Sequence, residues 1–221
     1  MKKAFARAVL CVAVLALASV TLLAQTVPGV VTINGGKNTV VLHSGSRSAT
    51  QKHVEPAGKP FFTDFVPGST PYNCFVGYTV SDGAPINTEF TPASQFTSAK
   101  TGTTSAIRIA ASFVTGTNGA RVTLDKDCKG VPCGTVDKTH LCRGTISSLP
   151  PAGQQCTVIK AFKCVAQLTK GKNYWVYMES PANSWEVFDL ANTAIGTNGE
   201  STNDAAWVVG SGGSLGAFSV R

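Results

Sequence analysis

Beyond residue 24 no two basic residues are adjacent, and no long apolar stretch follows the one at the N-terminus. The first absence argues against a nucleic-acid partner, because surfaces that track phosphates concentrate Lys and Arg among aromatics. The second leaves no membrane span in the mature chain, since a spanning helix needs about 20 apolar residues. Histidine is scarce, with three residues. The Gly-Ser stretch at 210–214 does not read as the sharp strand-to-helix turn of a serine nucleophile. No phosphate-cradling Gly-x4-Gly-Lys-Ser/Thr loop is present. Cys128 and Cys133 enclose four residues but lack a companion Cys-x-x-Cys, and only His140 is near, so no zinc site is expected. A 3.6-residue period is missing after the N-terminal segment, and so is any internal repeat.

The N-terminus reads as a targeting segment. Lys2, Lys3 and Arg7 precede the apolar stretch Ala8 to Leu23, and Ala24 ahead of Gln25 marks the expected cleavage point. This divides the chain into a signal peptide (1–24), N-terminal strands with a flexible loop (25–60) and a β-sandwich domain (61–221). Three of the 19 Lys and Arg leave with the signal, so the remainder carries 16 basic against 12 acidic residues, a net charge of +4. Six cysteines remain: Cys74, Cys128, Cys133, Cys142, Cys156 and Cys164. An even count in an exported chain points to disulfides. Cys128 and Cys133, flanking the turn-like Lys-Gly-Val-Pro, form the most evident pair; Cys156 and Cys164 are expected to pair with each other or with Cys142. With its thiols oxidised the chain has no cysteine nucleophile.

The rest reads as strands. Ile107, Ile109, Ala111 and Phe113 alternate with Arg108, Ala110 and Ser112, and Val122 and Leu124 repeat the pattern after Thr-Gly-Thr-Asn-Gly. This predicts a central antiparallel hairpin across 104–127. Val30–Ile33 and Thr39–Leu42 flank Asn-Gly-Gly-Lys-Asn as a second hairpin, before a loop carrying His43 and His53. Further strands are expected at Phe61–Phe65, Tyr72–Val80, Phe90–Phe96 (broken or at an edge near Pro92), Leu141–Ile146, within Cys156–Leu168, and at Tyr174–Met178 and Trp185–Leu190. Ala194–Asp204 reads as a surface loop. Two last strands, Ala206–Val209 and Leu215–Val220, are set around Gly210–Ser214. About ten short strands with a turn every 8–12 residues predict an all-β antiparallel sandwich of jelly-roll type.

The candidate ligand site is aromatic. If Trp175 and Tyr177 face solvent beside Glu179 and Glu186, with Trp185 nearby, they form a platform for a sugar ring and the carboxylates accept its hydroxyls. Asp125, Asp127, Asp189, Asn198 and Asp204 offer oxygen ligands for a structural calcium, the sole cofactor the composition suggests.

From about Phe61 onward the layout resembles the bacterial exported β-sandwich domains of the choice-of-anchor type. The resemblance is carried by Phe90-Thr91-Pro92-Ala93-Ser94, by Val-Thr-Gly-Thr-Asn-Gly at 114–119, and by Val122-Thr123-Leu124 with Gly130-Val131-Pro132. Leu149-Pro150 and Leu168-Thr169-Lys170-Gly171 before Tyr174-Trp175-Val176 complete it. The likeness implies a jelly-roll-like sandwich with no catalytic residues. Such proteins often end in a sorting anchor, and the close at Phe218–Arg221 implies a secreted or periplasmic protein instead. The expected function is therefore non-catalytic: binding a glycan or surface, or serving as an envelope-associated structural module. The alternative is an extracellular polysaccharide hydrolase, which would need two converging carboxyls.

Overall fold

The computed structural model describes residues 30–33, 39–42, 58–83, 85–134 and 139–221. The expected signal segment and the loop with His43 and His53 lie outside the described residues. Strand accounts for nearly all regular structure, as the period-2 patterns require. In chain order the strands are β1 (Val30–Ile33), β2 (Thr39–Leu42), β3 (Phe62–Thr63), β4 (Asn73–Asp82), β5 (Phe90–Thr97), β6 (Gly102–Thr103), β7 (Ala106–Ile109), β8 (Ala111–Thr115) and β9 (Gly119–Cys128). They continue with β10 (Val131–Pro132), β11 (Cys142–Ser147), β12 (Lys160–Lys163), β13 (Gln167–Leu168), β14 (Asn173–Glu179), β15 (Ser184–Thr202), β16 (Val208–Gly216) and β17 (Phe218–Val220).

The fold is an all-β, antiparallel, sandwich-like arrangement. An 11-stranded sheet runs β1-β2-β4-β15-β5-β14-β9-β10, with β11 on β9 and with β16 and β8 on β15. A four-stranded sheet, β12-β7-β17-β3, covers its inner face. Between them lies the main core: Val80, Phe96, Val122, Leu124, Val176, Met178 and Phe188 from the large sheet meet Ile107, Ile109, Phe218 and Val220 from the small one. Phe62 and Phe218 pack with ring centroids 4.8 Å apart, and Phe62 lies 5.2 Å from Phe96. Aromatic pairs at such spacings add about 0.5–1.5 kcal/mol each beyond their buried area.

The predicted central hairpin does not form. The two halves of 104–127 are strands, but they take different partners. β7 pairs with β12 and β17, β8 pairs with β15, and β9 pairs with β14 and β11. Ala110 is where the chain changes sheets: its N–H donates to Ala217 and its carbonyl accepts from Asp189. The connecting loop is pinned elsewhere. The Ser184 hydroxyl accepts from Thr117 N–H, and the Asn118 side chain both donates to and accepts from the Leu149 backbone.

The Gly- and Ser-rich segments also differ from expectation. Ala194–Thr202 is not a loop; it prolongs β15 to 19 residues, and β16 continues through Gly210–Ser214 with a bulge at Gly212. The two pair from Leu190–Gly216 to Glu200–Val208. Glycine here makes room instead of turning the chain. A Cβ on Gly196 would sit 2.9 Å from Leu215, and one on Gly216 would enter the Phe188 ring. β5 is unbroken at Pro92, because the proline pairs with Glu200 beyond the point where β14 stops at Ala93.

Three disulfides close the structure, which marks a chain that matures in an oxidising compartment outside the cytoplasm. Cys128–Cys133 pairs as expected, across a turn in which Lys129 and Gly130 both take positive φ. The expectation for Cys156 is corrected: it joins Cys74, 82 residues away, while Cys142 joins Cys164, one of the pairings left open. The Tyr72 hydroxyl explains the first, since it donates to the carbonyl of Val158 at 2.8 Å and draws that segment to the start of β4. Gly144 explains the second: only its missing side chain lets Phe162 lie over β11, bringing Cys164 to Cys142. Among the described residues no helix is long and apolar enough to cross a membrane.

Candidate functional site

Alternation along β9 sends Val122 and Leu124 into the core and Arg121, Thr123, Asp125 and Asp127 to the opposite, outer face. The neighbouring β14 does the same, with Tyr174, Val176 and Met178 inward and Trp175, Tyr177 and Glu179 outward. Register places Tyr177 opposite Thr123 and Glu179 opposite Arg121. His140 and Arg143, before and within β11, complete the set.

Asp125 is fully buried at the centre. Gly134 N–H donates to its Oδ2 at 2.9 Å, and His140 Nδ1 lies 3.2 Å from the same oxygen. Burial raises its carboxyl above the ordinary aspartate range, and the hydrogen bonds from His140 and Gly134 oppose that rise. Arg143 Nη2 meets His140 Nε2 at 2.6 Å. A guanidinium only donates, so Nε2 accepts and the ring hydrogen sits on Nδ1, toward Asp125. The Tyr177 hydroxyl is 3.2 Å from Nδ1, and burial, followed by the charges of Asp125 and Glu179, pushes its phenol up. Gly134 is indispensable here, because a Cβ would collide with both His140 and Asp125.

At the rim, Arg121 grips Glu179 with two bonds, Nη2 to Oε1 at 2.8 Å and Nε to Oε2 at 3.0 Å. That fork, chiefly its hydrogen bonding, raises the guanidinium further. Arg143 Nε donates to Thr123 Oγ1 at 3.1 Å, and its Nη2 stands 4.0 Å from Glu179. The Arg121 side chain is 51% exposed and that of Arg143 37%, so both present cationic surface.

The solvent-facing platform of Trp175 and Tyr177 is not found. Both rings are on the outer face but buried, with Trp175 wholly enclosed and its Nε1 donating to Asp127 Oδ1 at 2.7 Å. The cover is Trp207, from the link between β15 and β16. It packs edge-on to Tyr177, centroids 5.7 Å apart, and lies against Gly199, which also seats Trp175. Trp207 is itself only half-buried, and Val208 beside it is exposed. Trp185 and Glu186 are elsewhere: Trp185 packs with Val187 against Ile86, Val114 and Ala152. Glu186 is enclosed and accepts from Ser180 at 2.5 Å. Of the five residues expected to converge, only Trp175, Tyr177 and Glu179 share a face.

The oxygens considered for calcium are dispersed. Asp125 and Asp127 serve the outer face, Asp189 is buried against Ser112, and Asn198 bonds Ser94 and Ser214. Among the described residues no group of three or more His, Cys, Asp or Glu is placed to hold a metal. Gly212–Gly216 spells Gly-x-Ser-x-Gly, yet it runs as extended strand in β16 and forms no elbow.

Sequence reasoning missed Arg143 and Arg121, and considered His140 and Asp125 only as metal ligands. The alternation of polar residues with Val122 and Leu124 along β9 carried that signal; the approach of His140 through the gap at Gly134 had none. No family model and no curated protein matches the chain.

Proposed function

We propose that this is an exported, non-catalytic β-sandwich, secreted or periplasmic, that binds a glycan or envelope surface through the outer face of β9 and β14. Trp207 carries this reading. It is a half-buried indole held edge-on to Tyr177, beside a rim where Arg121, Arg143 and Glu179 offer donors and an acceptor in fixed geometry. A sugar ring is recognised by that combination of an apolar ring edge or face with planar polar groups alongside. The resemblance to choice-of-anchor domains agrees with it.

The hydrolase alternative needs two carboxyls at liberty to exchange protons with a substrate. Here Asp125 is turned to His140 and Gly134, both oxygens of Glu179 are held by Arg121, and both His140 nitrogens face protein groups. Those groups stabilise one another, which suits a rigid recognition surface.

The test is a glycan array probed with the disulfide-bonded protein, followed by titration of its best ligand with Trp207→Ala and Arg143→Ala. Affinity should fall at least tenfold in Trp207→Ala, with circular dichroism unchanged. Unaltered affinity in that variant, or silence across the array, refutes the proposal.

A further inference from the structure

Beside this face, where β9 ends and β14 begins, a cleft of about 420 Å³ is lined by Lys126, Asp127, Gly171, Lys172, Asn173 and Tyr174. Its charge is one-sided. The one carboxylate in the wall, Asp127, is fully engaged: Oδ1 accepts from Trp175 Nε1 and from Gln95 Nε2 at 2.8 Å, and Oδ2 accepts from Gly130 N–H at 3.2 Å. Lys126 and Lys172 are both exposed, and neither ammonium has an ion-pair partner among the described residues. The Asn173 oxygen accepts from Thr97 at 2.8 Å, which leaves its amide nitrogen as a donor. The Tyr174 hydroxyl accepts from Thr169 N–H at 2.9 Å and its ring packs on Phe96 in the core, which fixes this residue in the wall. Gly171 leaves its side of the opening clear, with nothing within 4 Å of where a Cβ would lie.

We propose that this cleft takes the anionic group, a carboxylate or sulfate, of an acidic sugar, held between Lys126 and Lys172 with Asn173 donating to a neighbouring oxygen. Two ammoniums against one carboxylate, whose oxygens are already turned to three donors, leave this concave surface net positive and favour an anion. The cleft adjoins the indole of Trp175 through Asp127, at the end of the sheet where the outer face meets the core side. The inference rests on the carbohydrate-binding reading above and narrows its ligand to acidic glycans.

The experiment titrates the protein with oligogalacturonate, a sulfated oligosaccharide, a neutral cello-oligosaccharide and single-stranded DNA, in parallel with Lys126→Glu, Lys172→Glu and the double variant. Both lysines are exposed, so the variants should fold, as near-ultraviolet circular dichroism will check. Binding to one acidic oligosaccharide that weakens with salt and falls at least tenfold in the double variant supports the cleft; which of the two binds identifies carboxylate or sulfate. Unchanged affinity in the double variant overturns it, and so does DNA binding as tight as the sugar. Binding of the neutral oligosaccharide alone overturns the cleft while leaving the glycan reading intact. No binding to any sugar overturns both.

Discussion

Glu186 and Asp189 are enclosed in β15, and each has one carboxyl oxygen without a hydrogen-bond partner. Burial pushes each up to about 8, opposed only by a bond from Ser180 to Glu186 and from Ser112 to Asp189. In the unfolded chain they titrate near 4.5 and 3.8. Between those values and about 8 the folded protein holds protons that the unfolded chain has released, so stability falls as pH rises. The contribution is whole below the unfolded values and lost as pH climbs through about 8. Each group tilts the unfolding free energy by about 1.4 kcal/mol per pH unit inside that window. Together, from pH 5 to 8, the upper bound is about 8 kcal/mol, comparable to the whole stability of a domain. Asp64, also buried and raised, acts in the same direction. Urea unfolding followed by tryptophan fluorescence at half-unit steps from pH 5 to 9 measures the slope. Glu186→Gln and Asp189→Asn, which copy the neutral acids, should each flatten it by about 1.4 kcal/mol per pH unit. A flat wild-type profile over this range, or a slope that neither substitution reduces, refutes the reasoning.

The disulfides should rank by the loop each closes. With sequence separations of 82, 22 and 5 between partners, chain entropy assigns about 4.5, 3.4 and 2 kcal/mol. Paired Cys→Ser variants unfolded in urea should follow that order, and Cys74→Ser/Cys156→Ser ranking last would contradict it. Gly134→Ala should drive His140 off Asp125 and destabilise the fold by about 1–3 kcal/mol. Imidazole ¹⁵N shifts, which report the Nδ1–H tautomer, should change with it; an unchanged spectrum would show that the gap at Gly134 does not matter.

Much of the fold was legible, and its failures have a common cause. The β1 and β2 bounds, the aromatic strand β14 and the Cys128–Cys133 pair all depend on residues close in sequence. A period of two says which side chains share a face but not which strand lies alongside. So the 104–127 segment was readable as strands and misread as a hairpin. Glycine misled in β15 and β16 because its usual reading is a turn, whereas Gly196 and Gly216 admit Leu215 and Phe188. The candidate site suffered in the same way. The pattern put Trp175 and Tyr177 on one face without saying whether it met solvent; Trp207, some 30 residues later in the numbering, covers them. His140 gains its role only from a buried aspartate on another strand and a missing side chain at Gly134.

β15 has a consequence for how the protein is made. It begins at Ser184 and pairs with β4, β5, β8 and β16. Strands synthesised more than 60 residues earlier therefore stay without their chief neighbour until the chain is nearly complete. Such long-range pairing makes folding slow. A nascent chain of this design cannot close its large sheet until β15 has emerged, because β4, β5 and β8 meet there.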